Sequence, residues 1–274
     1  MRRSRLAAVA VLLAVTGLAG CGSKLRATGN FVPAHPNTLT VVTGEIPLVG
    51  FWEGTPDRPT GGFEYELAIE LAKQFGLAHV NVVVVPFAQI VKGDLGGADL
   101  ALSDITATKA REEVLDFAGP YLPATPAVLV RSGQDVPDLK TAQGLRWAVG
   151  KSTTLRDYLD NTIQPNPRSL YTSSQHETVQ AILDHKVDAG LLDLPVASAI
   201  AHNSGGALEV AGQFELNDDL SAALPEGSDN RQAVDSALRR LTADGTIADL
   251  AQRWLGLDLS GDSANQVPLI QTES

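Results

Sequence analysis

Residues 64–85 read EYELAIELAKQFGLAHVNVVVV. Two periodicities meet in this stretch. Over 64–75 the apolar residues Leu67, Leu71 and Phe75 recur every fourth position, Ala68 and Ala72 sit beside them, and Gly76 follows. That spacing predicts a helix with one buried face and a glycine stop. Residues 81–85 are an apolar β-branched run, the composition of a strand buried in a parallel sheet. Working outward, residues 39–43 (LTVVT) and 98–102 (ADLAL) read as two further strands. Strand, helix, strand in this order makes βαβ units and an α/β sheet.

The same rhythm restarts after Pro126. Residues 127–130, 146–149 and 187–192 read as strands, and 155–160, 178–184 and 196–202 as helices, the last following Pro195. The chain then turns helical. Ala233, Val234, Ala237, Leu238 and Leu241 line one face; Asp244-Gly245 interrupts; Ile247, Leu250, Ala251, Trp254 and Leu255 line the next. No short internal repeat or low-complexity block is present. Two successive α/β halves of similar size are the organising feature.

Ahead of these halves the chain opens with Arg2, Arg3 and Arg5, an apolar run over 6–18, and the small residues Ala19 and Gly20 before Cys21. A basic start, a short apolar stretch and a small-residue cleavage site make a secretory signal. The run is shorter than the roughly 20 apolar residues that span a bilayer. Leu18-Ala19-Gly20-Cys21 resembles the bacterial lipobox, which implies cleavage before Cys21, a diacylglycerol on its thiol and acylation (palmitate) as the membrane anchor; two acyl chains suffice for stable anchoring. Cys21 is the one cysteine in the chain, so no internal disulfide forms. Residues 22–37 carry Gly, Pro, Ser and Asn without periodicity and read as a linker. Its 16 residues reach at most about 55 Å. Loss of residues 1–20 would leave 18 Lys and Arg against 32 Asp and Glu. That balance argues against nucleic acid and against an anionic membrane surface as partners.

Few patterns carry chemistry by themselves. Gly150-Lys151-Ser152 follows a strand and precedes a helix, but five residues, Trp147 among them, separate Gly144 from Gly150 where a phosphate-binding loop needs four. The five histidines do not pair at metal-ligand spacing, so no metal is expected. No Gly-x-Ser-x-Gly elbow occurs. What remains are polar residues just past strand ends, where open α/β sheets bind ligands. Ser103, Asp104 and Thr106 follow the strand at 98–102. Thr108 and Arg111 come next, at the start of an expected helix. Arg111 could hold a carboxylate through two parallel hydrogen bonds; the plain alternative is that Thr108 caps and Arg111 is solvated. Ser152, Thr153 and Thr154 sit at a strand-to-helix junction, fit for an anion or for ordinary N-capping. Asp193 ends the strand at 187–192 and could accept from an ammonium or cap the helix that follows.

These signals fall in a known order. From Leu39 to Leu257 the sequence resembles the family 3 extracellular solute-binding proteins, the polar amino-acid receptors of ABC importers. Gly61-Gly-Phe-Glu-Tyr-Glu-Leu67 looks like the family's Gly-Phe-Asp-x-Asp-Leu. Residues 99–121, DLALSDITATKAREEVLDFAGPY, match its most specific block, with Thr-x-x-Arg and then Asp-Phe-x-x-Pro-Tyr. Asp138-Leu-Lys140 with residues 146–154 resembles the opening of the second lobe, ending in Gly-Thr-Thr. Residues 186–193 resemble Gly-x-x-Asp-Ala-x-x-x-Asp, and residues 243–256 the closing Asp-Gly-Thr…Lys-Trp-Phe-Gly.

The resemblance implies an α/β, two-lobed periplasmic-binding-protein-like fold of type II, with mixed sheets flanked by helices and two crossover hinge segments. Lobe one is expected at 38–124 plus 218–260, lobe two at 125–217, and a tail at 261–274. It also implies roles. Arg111 grips a ligand carboxylate, helped by Thr106 and the N–H of Thr153 or Thr154. Asp193 pairs with the α-ammonium, with the Asp104 carbonyl and the Thr106 hydroxyl completing its shell; Ser103 belongs to the same strand end. Phe87 and an aromatic at Phe51 or Trp52 sandwich the ligand. Asp104 stands where the family usually has Gly, Ser or Ala, and Ser152 where it has Gly. Asp104 is either a second anion for a cationic ligand or a partner of Lys109 or Arg111. The expected partners are a small amino-acid-like solute, an ABC permease and the membrane through the lipid on Cys21; a monomer without cofactor or catalysis is expected, on the extracytoplasmic face. The rivals are a dehydratase-like cleft enzyme of the same fold and a sensor read by a membrane partner.

Overall fold

The computed structural model describes residues 31–216, 218–259 and 267–271. Residues 1–20, Cys21 and most of the linker lie outside the described residues. The first strand, β1 (Thr38–Thr43), is followed by a small hairpin of β2 (Glu53–Thr55) and β3 (Arg58–Gly61). Helix α1 (Phe63–Phe75) comes next and buries Leu67, Ala68, Leu71 and Ala72. Gly76 ends it in the left-handed region, φ 72°, with its N–H on the carbonyls of Ala72 and Lys73. Only glycine takes that conformation without penalty. Strand β4 (His79–Val84), the short helix α2 (Phe87–Ile90), β5 (Leu100–Ala101) and β6 (Leu115–Pro123) complete this run.

The second run comprises β7 (Pro126–Arg131), α3 (Leu139–Gly144), β8 (Trp147–Gly150), α4 (Thr154–Tyr158) with a π-helical turn at Leu159–Ile163, β9 (Leu170–Thr172), α5 (Gln175–Leu183), β10 (Ala189–Asp193), α6 (Leu194–Asn203) and β11 (Leu208–Gln213). The chain then returns through β12 (Asp219–Pro225) to α7 (Arg231–Ala243) and α8 (Thr246–Leu255), which meet at Gly245.

The strands form two five-stranded sheets, ordered β4-β1-β5-β12-β6 and β11-β7-β10-β8-β9. Both are mixed. In the first, β1 is parallel to β4 and β5 while β12 is antiparallel to β5 and β6. In the second, β10 and β9 are parallel to β8 while β7 is antiparallel to β10 and β11. The chain passes between the sheets at 124–125 and again between Gln213 and Asp218. These crossovers lie side by side, with the Ala124 N–H on the Asp218 carbonyl at 2.8 Å and the Thr125 hydroxyl on Gln213 Oε1 at 2.7 Å. The architecture is the expected one: two α/β lobes, helices flanking mixed sheets, two hinge segments.

Three features depart from the sequence reading. The last residues of the segment read as linker are held on the first lobe, where Phe31 stacks on Phe75 at 4.1 Å and the Ala34 N–H bonds Asp99 Oδ1 at 2.7 Å. Residues 108–114 form turns, not the start of a helix. The Thr108 carbonyl accepts from Arg111 and Glu112, but β6 begins at Leu115 and leaves no room for further turns. Within the segment read as a tail, residues 267–271 return to the second sheet. Gln213 N–H bonds the Pro268 carbonyl, Ile270 N–H bonds the Gln213 carbonyl, and Ile270 is buried in the second sheet's core.

Candidate ligand cleft

The parallel strands of both sheets deliver their C-terminal ends to one place. Gly44 and Glu45 follow β1; Pro86, Phe87 and Ala88 follow β4; Ser103 and Asp104 follow β5. From the other sheet, Lys151, Ser152 and Thr153 follow β8, Ser173, Ser174 and Gln175 follow β9, and Asp193 ends β10. All of these line one cavity of about 330 Å³. That volume lies at the lower end of small-ligand sites.

The first sheet's wall is organised by a carboxylate beneath it. Glu64, from the first turn of α1, is fully buried. It accepts from Tyr121 OH at 2.5 Å, Trp52 Nε1 at 2.7 Å and the Asp104 N–H at 2.8 Å. Burial pushes its pKa up to about 7, against the lowering effect of these three donors. The third bond holds Asp104 at φ 52°, a left-handed conformation that Asp tolerates better than most residues. Ser103 is held by accepting the Gly44 N–H at 2.7 Å.

Arg111 is buried, not solvated. Its Nη1 donates to the Thr106 carbonyl at 2.7 Å and its Nη2 to the Ser152 carbonyl in the other lobe at 3.2 Å. The guanidinium carbon lies 5.6 Å from the centroid of the Phe87 ring. Burial lowers its pKa, while Asp193, Asp104 and Asp218 act to raise it.

The second wall is hydroxyl-rich. Thr153 occupies the N-cap of α4, but its hydroxyl donates to the Gly150 carbonyl and makes no cap bond. Asp193 occupies the N-cap of α6, also without a side-chain cap bond. The capping alternatives considered for these two side chains are therefore not realised. Asp193 is buried, and its pKa is raised to about 7 by desolvation and by Asp218, with Arg111 acting to lower it. Asp104 is raised well above its ordinary value by desolvation, then by Asp193 and Glu64.

Three hydrogen bonds among the described residues join the walls. Glu45 Oε1 accepts the Gln175 N–H at 3.0 Å, Gln175 Nε2 donates to Asp104 Oδ2 at 3.1 Å, and Arg111 reaches Ser152. Asp104 thus pairs with Gln175 across the cleft, with neither Lys109 nor Arg111 as its hydrogen-bonded partner.

Of the sequence-derived residues, Ser103, Asp104, Phe87, Thr153 and Asp193 line the cavity. Thr106, Arg111 and Thr154 are not among its lining residues; Thr106 is buried beside Leu220 and lends its carbonyl to Arg111. The aromatic expected at Phe51 or Trp52 is not in the wall. Both rings are fully buried in the first core, Phe51 edge-on to Phe63 at 5.8 Å and Trp52 tied to Glu64, so neither is free to stack on a ligand. Sequence reasoning missed Glu45 and Gln175. Each follows a strand end, the same signal that found Ser103. Among the described residues no cluster of His, Cys, Asp and Glu could hold a metal ion.

L-cystine-binding protein TcyJ of Escherichia coli K12 is 26% identical over 235 residues, 84% of this chain and 87% of that one. Membrane-bound lytic murein transglycosylase F of Ectopseudomonas mendocina is 28% identical over 87% of this chain, but only 50% of that protein is covered. A crystal structure of an amino acid ABC transporter substrate-binding protein from Streptococcus pneumoniae bound to L-arginine superposes with a TM-score of 0.69 at 25% identity, over 80% of this chain and 94% of that one. Residues 44–257 match the sequence pattern of one family throughout. The two-sheet fold and that match agree: this chain belongs to the bacterial extracellular solute-binding proteins, family 3.

Proposed function

We propose that this chain is the lipid-anchored, extracytoplasmic receptor of an ABC importer, and that it captures an amino acid or related small polar or cationic solute between its lobes without altering it. The observation that carries the reading is the cavity between the two sheets, walled from both sides by residues past the strand ends. Binding there closes the lobes about the crossovers at 124–125 and between Gln213 and Asp218. Asp193, buried and unused as a helix cap, takes the ligand ammonium. Arg111, beside Phe87 and outside the lining of the cavity as it stands, has two of its five N–H donors on backbone carbonyls and takes the carboxylate with the remainder as the lobes close. Phe87 covers one face of the ligand, and Ser103 and Thr153 supply hydroxyls. Among the described residues no helix is long and apolar enough to cross a membrane. Diacylglycerol on Cys21 supplies the anchor in this reading, and the linker keeps the monomeric receptor within reach of a permease.

The test is a melting screen of the purified chain against amino acids, polyamines and betaines. A ligand that raises Tm supports capture; a flat response across the panel ends the proposal. Two charge-assisted hydrogen bonds of roughly 1.5–3 kcal/mol each make Arg111→Ala cost at least about 100-fold in affinity. The variant still folds, and its ligand-dependent Tm shift disappears. A retained shift shows that Arg111 does not hold the ligand.

One observation favours turnover as a second reading. Asp104 and Asp193 are neighbouring carboxyls whose pKa values desolvation raises, that of Asp193 to about 7, which lets Asp193 give or take a proton near neutral pH. Mass spectrometry of a bound solute after prolonged incubation decides between them: an unchanged solute leaves the receptor, and a converted one makes the protein an enzyme.

A further inference from the structure

Six buried side-chain N and O atoms among the described residues lack a hydrogen-bond partner. Only two, Asp104 Oδ1 and Gln175 Oε1, belong to residues that line the cavity. Both are acceptors. They come from opposite lobes and are joined by the 3.1 Å bond from Gln175 Nε2 to Asp104 Oδ2. That bond uses one amide N–H and one carboxyl oxygen and leaves Gln175 Oε1 and Asp104 Oδ1 with acceptor capacity. A buried acceptor left without a donor is costly, and a carboxylate oxygen more so.

We propose that Asp104 and Gln175 form a subsite for a second, N–H-rich cationic head, so that the preferred solute carries a cation in addition to its α-ammonium. The inference rests on the receptor reading above and names the solute class for the same cavity. The balance of the wall supports it. Glu45, Asp104 and Asp193 place three carboxyls around the cavity, while the one Lys in the wall, Lys151, already donates to Ser173 Oγ. One ammonium offsets one carboxyl of the neighbouring pair Asp104 and Asp193 and leaves the other unmet. A guanidinium or a second ammonium answers both. The backbone adds an independent sign. Asp104 sits at φ 52°, where glycine would be unstrained, and Glu64 holds its N–H in place. Residues held in sparsely populated backbone regions cluster at clefts and ligand clamps, and this one is braced from beneath. Gln175 also gives its N–H to Glu45, so filling this subsite draws the two walls together at one residue.

The experiment is calorimetric titration of the purified full chain at pH 7.5 with arginine, lysine and cystine against citrulline and glutamine. Citrulline keeps the shape of arginine and replaces its guanidinium by a neutral ureido group. At least one of the three ligands with a second cation binds 10-fold or more tighter than both neutral ones. Asp104→Asn collapses the ratio of that ligand's affinity to citrulline's toward one, and Gln175→Ala lowers the ratio several-fold. Asn tolerates the left-handed conformation, so the Asp104→Asn fold survives, and its melting curve checks this. Neutral ligands bound as tightly as any of the three, or an Asp104→Asn ratio equal to the wild type, overturn the subsite and leave the receptor standing. Silence from all five ligands, together with a flat melting screen, removes the receptor reading and this inference with it.

Discussion

The first sheet's side of the cavity is braced from below by the buried carboxyl of Glu64; the second sheet's side is braced mainly by close neighbours in sequence, with the Lys151–Ser173 bond, 22 residues apart, as a longer tie. Glu64 reaches Asp104, 40 residues away, and Tyr121, 57 residues away. On the other side Thr153 bonds Gly150, Ser174 bonds Glu177, and Thr172 bonds Thr178, all within six residues. The difference is one of reach. A long-range brace couples a cleft residue to the core, so damage to it spreads through the lobe. A local brace fixes one turn, and its loss stays there.

The largest effect expected from this comparison is at Glu64. Glu64→Ala strands three buried donors, those of Trp52, Tyr121 and the Asp104 backbone. At about 1–3 kcal/mol for each unsatisfied group, the cost is roughly 3–9 kcal/mol, before any cavity left by the side chain. That is a large part of a typical domain's stability. Urea unfolding measures it. Glu64→Gln keeps the volume and one acceptor but points an NH2 at the donors, and falls between wild type and Ala. A Glu64→Ala loss no larger than that of a single helix cap breaks the distinction between the two sides.

The next effect is the response to pH. Glu64 and Asp193 have folded pKa values raised to about 7 from ordinary values of 4.5 and 3.8. Between about pH 4 and 7 the native state therefore binds more protons than the unfolded state. Stability falls as pH rises through that window. The unliganded protein melts lower at pH 8 than at pH 5, the two groups together corresponding to roughly 5 kcal/mol, or about 10–20 °C. Asp193→Asn flattens part of the slope. A cationic solute favours the ionised carboxyls, so its Tm shift is larger at pH 8. A melting point that rises from pH 5 to 8 in the unliganded protein contradicts the assignment of these two groups.

Legibility in the sequence follows the same division between local and distant. Helix α1, strand β4 and the break at Gly245 carry their periodicity or their stop residue within a dozen positions, and they were readable. Strands β6 and β12 were not. LDFAGPYLP interrupts its apolar residues with Gly119 and Pro120, and DLSAALP has no β-branched residue, so both owe their strand state to pairing with one another. Strand β9 has three residues, too few for a pattern. Missing it hid Gln175 just beyond its end. In the cleft, the strand-end rule reached Ser103, Asp104, Thr153 and Asp193. It does not tell that Arg111 is buried, because that depends on Thr106 and on Ser152 in the other lobe. Nor does it tell that Trp52 is spent on Glu64 in the core. Contacts set by chain segments distant in sequence leave no local mark.

The smallest expected effect tests the local side. Ser174 caps α5 by accepting the Glu177 N–H at 3.1 Å, and Glu177 Oε2 reaches back to the Ser173 N–H at 2.7 Å. Ser174→Ala removes one of these two reciprocal bonds, and caps of this kind are worth about 1 kcal/mol. The Glu177 N–H lies near the surface, so water replaces part of what is lost. The variant unfolds at a slightly lower urea concentration with an unchanged m-value, since the surface exposed on unfolding is the same. Gln175 is the next residue, and its side chain and N–H both cross the cleft. Loosening the first turn of α5 therefore costs a few-fold in ligand affinity while leaving Glu64 and its three donors untouched. Ser174→Ala combined with Glu64→Gln gives an additive loss if the two sides are independent, and a coupling above about 0.5 kcal/mol shows that the local and distant braces act through Gln175 and Asp104 as one.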